Sequence, residues 1–164
     1  MDIIETFLLT KEIRKLAEDL RRLSREIAYT GKRPYPQASW QESHVQGEEL
    51  LIPLLDGLKV NAGYLLEPIE KMREDFPTHE LARGRATSLA EETRAFIHLC
   101  IALRERISHS LPEAPLDAPY GASAPKVPPP SVSALMVAEA ATRLANEVTS
   151  WLLWQANVAC RRGL

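Results

Sequence analysis

The feature that most constrains the fold is a heptad pattern of apolar residues near the start of the chain. These residues alternate spacings of three and four positions: Ile13, Leu16, Leu20, Leu23 and Ile27. This spacing puts the side chains on one narrow stripe of an α-helix, which packs against a helix running nearly parallel or antiparallel to it. The pattern stops at Gly31, a residue type that often ends helices, and a proline-containing stretch follows. We therefore predict a first helix that needs a partner helix.

A second helical segment is predicted from Ser39 to about Phe76. Ser39 and Glu42 have the spacing of a capping box, in which each side chain satisfies a free backbone N–H at the start of a helix. Pro53 and Pro68 lie inside this segment. Because an internal proline removes a backbone donor and clashes with the preceding turn, we expect kinks or a split into two or three pieces.

Two more helical segments are separated by a proline-rich stretch. The third helix is predicted to start after Thr78 and to end at Leu111, before Pro112. Residues 112–130 hold seven of the twelve prolines and are predicted to form a long extended loop. The fourth helix is predicted from about Ser131 to Arg161, and Trp154 lies off its apolar stripe, where we expect it to face a partner. The residues of that stripe are Leu135, Met136, Leu144, Val148, Trp151, Leu152 and Val158.

These segments predict an all-α fold, a bundle of four to five helices in a single domain over residues 1–164, with the proline-rich loop before the last helix. No alternating strand pattern is visible, and no apolar run approaches the ~20 residues that a membrane span needs. The first residues have neither the basic start nor the apolar run of a signal peptide. We therefore expect a cytoplasmic protein with no membrane association. Cys100 and Cys160 are expected to be free thiols, with a single disulfide between them as the alternative.

Charge is distributed unevenly, although the net charge is only −2. Residues 11–33 carry eight basic and four acidic side chains, whereas residues 42–80 carry three basic and nine acidic ones. A basic first helix is able to contact phosphates, so RNA is one candidate partner. The interleaved acids favour a simpler interpretation, a solvated helix face with ion pairs between successive turns.

Arg104 is the most unusual residue of the third segment. On an ideal helix it falls in the same sector as the apolar side chains of Leu103 and Ile107. Burying an unpaired guanidinium costs several kcal/mol, so Arg104 must pair, reach solvent or take part in chemistry. His109 lies about 140° away around the same ideal helix. A break at Ser108, before Pro112, would be needed to bring the two side chains together.

The residues LRERISHS at 103–110 resemble the Arg-x4-His motif of HEPN-domain proteins, helical domains found in toxin–antitoxin, abortive-infection and CRISPR-associated systems. The motif of that family also lies late in an apolar helix and precedes a loop and a final helix. The resemblance covers the motif and the helix order. It implies a homodimer in which two motifs form one cleft that cuts RNA without a metal.

By this resemblance, Arg104 and His109 are the catalytic residues. His109 would act as general acid or base, because histidine titrates near neutral pH, and Arg104 would stabilise charge on the phosphate. Glu105, Arg106 and Ser108 are auxiliary binding candidates. Glu105 departs from the residues common at its position in the family. Its carboxylate is expected either to repel RNA phosphates or to orient His109 or pair with Arg106.

A second hypothesis makes the protein a non-enzymatic helical adaptor or assembly subunit that acts through protein–protein contacts. Arg104 would then neutralise an acid of the second helix, and His109 would be an exposed residue at a helix end, where a cation suits the helix dipole. No cofactor and no metal are expected. Neither cysteine has a ligand at zinc spacing, and His44 with Glu48 is a single weak pair. Whether the protein is an enzyme is left open between the two hypotheses.

Overall fold

The computed structural model of the protein describes residues 3–30, 37–75, 78–110 and 128–161. These residues form four helices, α1 (Ile3–Thr30), α2 (Gln37–Asp75), α3 (Glu80–Ser110) and α4 (Pro130–Arg161). No strand is present in the described ranges, so the predicted all-α bundle is confirmed. Residues 112–127 of the predicted proline-rich loop lie outside the described part of the chain. α4 begins at Pro130, the last residue of the predicted loop 112–130.

The helices form an up-down-up-down bundle in the cyclic order α1, α2, α3, α4. Neighbouring helices run antiparallel, as contacts between α1 and α4 illustrate. Arg14 Nη2 donates to Asn146 Oδ1 at 3.0 Å, and Arg21 Nη2 donates to Thr142 Oγ1 at 3.2 Å. α1 and α3 are diagonal and do not pack on each other. The heptad stripe of α1 faces the core as predicted, with Ile13 and Leu20 fully buried.

α2 corrects two predictions. It runs as one helix through Pro53 and Pro68, so of the two expected alternatives the split is wrong, and kinks stay a prediction. It begins at Gln37, before the predicted capping residue Ser39. Pro53 is exposed, whereas Pro68 is buried. α2 packs along α1 on one side and α3 on the other. This packing offsets the local cost of the prolines, since most helix stability in a protein comes from tertiary contacts.

The seam between α1 and α4 is tight because its side chains are small. Ala138 and Ala145 of α4 and Ala17 of α1 are fully buried. Small side chains let helix axes approach closely, since interaxial distance depends on the side chains at the contact. Among neighbouring helices, α3 and α4 make the loosest seam.

Two predictions about α4 are wrong. Met136, predicted in the buried stripe, is 57% exposed. Trp154, predicted to face a partner, lies half-buried against the start of α3 in its own chain. Its ring meets that of His79 edge-on at 5.9 Å, and the Arg85 guanidinium lies 5.9 Å from its centroid. None of the helices in the described ranges combines the length and apolarity that would let it cross a membrane.

Candidate functional site

Arg104 lies in α3 and is held by an acid of α2, as the second hypothesis expects. Its Nε donates to Asp56 Oδ1 at 2.7 Å. The two side chains are 41% and 38% exposed, so this pair lies at the surface of the α2–α3 seam. The guanidinium is therefore paired at its Nε, while the rest of the group remains partly open to solvent.

His109 does not join Arg104. α3 is continuous from Glu80 to Ser110, without the break at Ser108 that would be needed to bring the side chains together. On a continuous helix, side chains five residues apart point about 140° away from each other. His109 is exposed in the last turn of α3. A single copy of the chain therefore presents Arg104 and His109 on different faces.

The auxiliary candidates also point in different directions. Arg106 is half-buried and turns towards α4, where its Nη1 donates to Ser133 Oγ at 3.0 Å and its Nη2 donates to the carbonyl oxygen of Pro128. Glu105 is exposed, and Ser108 is half-buried. Arg106 thus fixes the start of α4 against the end of α3.

The thiol of Cys100, on the buried side of α3, has a strongly shifted pKa. Burial raises the pKa of its thiol to about 12, and the nearby charge of Lys59 acts in the opposite direction. Cys100 is a free, buried cysteine. A thiol with a raised pKa is a poor nucleophile, because the thiolate is the reactive form. Within the described residues, no cluster of three or more His, Cys, Asp or Glu side chains is arranged to hold a metal ion.

A concave surface lies along the loose seam between α3 and α4, and we call it the α3–α4 groove. It consists of two hollows that share Leu99. The first, of about 460 Å³, has an apolar floor with a charged rim and includes Phe96, Leu99, Ala140, Leu144, Glu92 and Arg143. The second, of about 240 Å³, includes Leu99, Leu103, Val137, Met136, Arg106 and Ser133. Leu99 is 40% exposed and Met136 is 57% exposed, so the groove leaves apolar side chains in solvent.

The residues of this groove follow a pattern that our sequence analysis missed. Glu92, Leu99 and Arg106 are spaced seven residues apart along α3. They lie on one face, beside the buried stripe that contains Phe96 and Leu103. This seven-residue spacing of an acid, an apolar residue and a base is visible in the sequence and would have identified the face that lines the groove.

The structure thus presents two surfaces on α3, the end that carries Arg104 and His109 and the face that lines the α3–α4 groove. Comparisons with protein-family models, with curated proteins and with solved structures find no match.

Proposed function

We propose that the protein is a non-enzymatic helical interaction subunit, and that its α3–α4 groove binds a helix of another protein chain. The observation that carries this proposal is the pair of apolar side chains, Leu99 and Met136, left exposed over a groove with a buried apolar floor. Completely burying a leucine or methionine side chain contributes about 1.5–3 kcal/mol. Because Leu99 is 40% and Met136 57% exposed, a partner that covers both would gain about half of that contribution from each.

The form of the groove fits a helix better than a small molecule. Its two hollows follow each other along two antiparallel helices, and Leu99 stands between them and lines both. An amphipathic helix places side chains at intervals of three, four and seven residues, so it is able to fill successive hollows on either side of such a ridge. The polar groups, Glu92, Arg143 and Arg106, stand at the rim, which is the usual arrangement of protein interfaces.

The test is site-directed photo-cross-linking in cells that make the full chain. A photoreactive residue in place of Met136 should give a discrete protein adduct. The same residue in place of Lys15, exposed on α1, the helix diagonal to α3, should not. Absence of any adduct from Met136, with the protein folded and the probe active, would reject the interaction function.

A second candidate function is the metal-independent ribonuclease that the motif resemblance implies. It is favoured by the exposure of His109 and by the half-exposed guanidinium of Arg104, since both groups are accessible to RNA. Because one chain separates them, the candidate requires two copies that each contribute part of a cleft.

The ribonuclease test is cleavage of a mixed RNA pool in EDTA. An active enzyme should leave 2′,3′-cyclic phosphate ends and lose activity in His109→Ala. His98→Ala is the matched control, because His98 is also exposed on α3, eleven residues earlier and on nearly the same side. Equal loss in both variants, or no cleavage by the wild type, would count against this candidate.

A further inference from the structure

We infer that the partner of the α3–α4 groove is a second copy of this chain, with the two α3 helices antiparallel around a two-fold axis at Leu99. This inference rests on the proposed interaction function and names its partner. It follows from the order of charges along the groove, from the shape of the surface at Leu99 and from the register between α3 and α4.

The charges on α3 are self-complementary in one orientation. Glu92 and Arg106 lie seven residues before and after Leu99, which is about 10 Å on either side along the helix axis. A heptad drifts by only about 20°, so the three residues share a face. An antiparallel second copy centred on Leu99 places its Arg106 opposite Glu92, and its Glu92 opposite Arg106. A parallel copy would set like charges against each other, which is unfavourable.

α4 adds to the acidic end of the groove. The hydrogen bond between Arg106 and Ser133 fixes the register of the two antiparallel helices. Two heptads along from this pair, Glu92 of α3 stands level with Glu147 of α4, and both are exposed. With Arg143 on the same rim, this end carries one net negative charge, whereas the other end carries the positive charge of Arg106. The guanidinium of the second copy thus approaches a site that is acidic on balance.

The shape of the surface permits the two α3 helices to approach each other. Ala95 and Ala102, on either side of Leu99, are exposed and small. Leu99 forms a ridge between two hollows, and the two-fold axis sets the Leu99 of each copy beside the hollows of the other. This is the packing of a knob into a hole between helices. The exposed Met136 of α4 lies at the edge of the same contact.

The test uses complementary charge reversals and sedimentation of the full chain. The wild type should form a dimer. Glu92→Arg alone and Arg106→Glu alone should each weaken it at least about tenfold, because two like-charge contacts replace two ion pairs. An equimolar mixture of the two variants should restore a heterodimer, in which both contacts again join opposite charges. Glu91→Arg is the matched control, exposed one position before Glu92 and about 100° around the helix.

A wild type that stays monomeric at its highest soluble concentration would overturn the inference. A dimer that both charge variants leave intact, or a mixture that fails to associate although each variant is folded by circular dichroism, would overturn it too. Since Arg106 also contacts Ser133, Leu99→Asp replaces Arg106→Glu if that variant does not fold, and it should be monomeric. If the wild type is monomeric and Met136 cross-links to a different protein, the proposed interaction function stands. The inference that the partner is a second copy of this chain is then rejected.

Discussion

Glycines inside the helices give a quantitative test of how closely α1 and α2 approach each other. A Cβ atom added at Gly47 would lie 2.8 Å from Ile27 Cγ1 and 3.3 Å from Ile27 Cδ1. A Cβ atom added at Gly63 would meet nothing within 4 Å. Both positions are within α2, so replacement by alanine changes helix propensity in the same direction at each. The difference in the free energy of unfolding between Gly47→Ala and Gly63→Ala therefore measures the cost of the contact with Ile27 of α1.

The expected magnitudes follow from two opposing terms. Alanine is favoured over glycine inside a helix by about 1 kcal/mol, so Gly63→Ala should raise the free energy of unfolding by about that amount. At Gly47 the same gain is opposed by overpacking against the β-branched, buried Ile27, which typically costs about 1–3 kcal/mol. Gly47→Ala should therefore be between neutral and destabilising by about 2 kcal/mol.

Urea and thermal unfolding followed by circular dichroism measure both variants. At about 2–4 °C per kcal/mol for a chain of this size, Gly63→Ala should melt a few degrees above the wild type. Gly57→Ala should fall between the other two, because its Cβ would meet the flexible end of Leu16, at 3.2 Å from Cδ1. If Gly47→Ala stabilises the protein as much as Gly63→Ala, the close approach of α1 and α2 at Ile27 is refuted.

Three further changes test other parts of the structure. In a double-mutant cycle, Asp56→Ala and Arg104→Ala should show a coupling of about 0.2–1 kcal/mol in unfolding, because both partners are more than a third exposed; a coupling above about 3 kcal/mol would indicate a buried pair instead. The free energy of unfolding of the wild type should fall relative to Cys100→Ala as the pH rises from 9 to about 12, by up to ~4 kcal/mol. The stability falls because the thiol of the unfolded chain ionises first, while the folded one keeps its proton. Parallel pH profiles of the two proteins would contradict this prediction. Pro53→Ala should stabilise the protein by roughly 1–3 kcal/mol, since Pro53 is an exposed proline inside α2; a loss of stability would mean that Pro53 contributes contacts or fixes a bend.

The helical periodicity of the sequence was sufficient to predict the helices but not every buried face. In α4, the predicted stripe selected large apolar residues and so included Met136, which is exposed. The buried face also contains four alanines that the stripe left out: Ala134, Ala138, Ala141 and Ala145. Small side chains carry little hydrophobic signal in a sequence, yet they allow α1 to pack closely against α4. The tightness of that seam depends on both helices and is not readable from either alone.

The sequence also indicated which helix would supply the ion-pair partner of Arg104, but it did not identify the partner residue. The second hypothesis expected an acid of the second helix, and Asp56 is that acid. Selecting it among the acids of residues 42–80 requires the register between α2 and α3, which depends on how the side chains of both helices interdigitate. The rotation of His109 towards Arg104 likewise depended on a break at Ser108, and α3 keeps its helical hydrogen bonds through that position.

The proposed dimer and the proposed ribonuclease make incompatible demands on α3. In an antiparallel pairing centred on Leu99, the two copies of His109 are each ten residues from the axis, so they lie about 30 Å apart along the helices. Arg104 of one copy and His109 of the other are about 22 Å apart by the same reasoning. One phosphate cannot contact both groups across such distances, because general acid–base catalysis requires hydrogen-bond reach. Restoration of a dimer by mixing Glu92→Arg with Arg106→Glu would therefore also exclude a composite Arg104–His109 cleft in that dimer. Cleavage of RNA that depends on His109 would require the two copies to meet at the end of α3 instead.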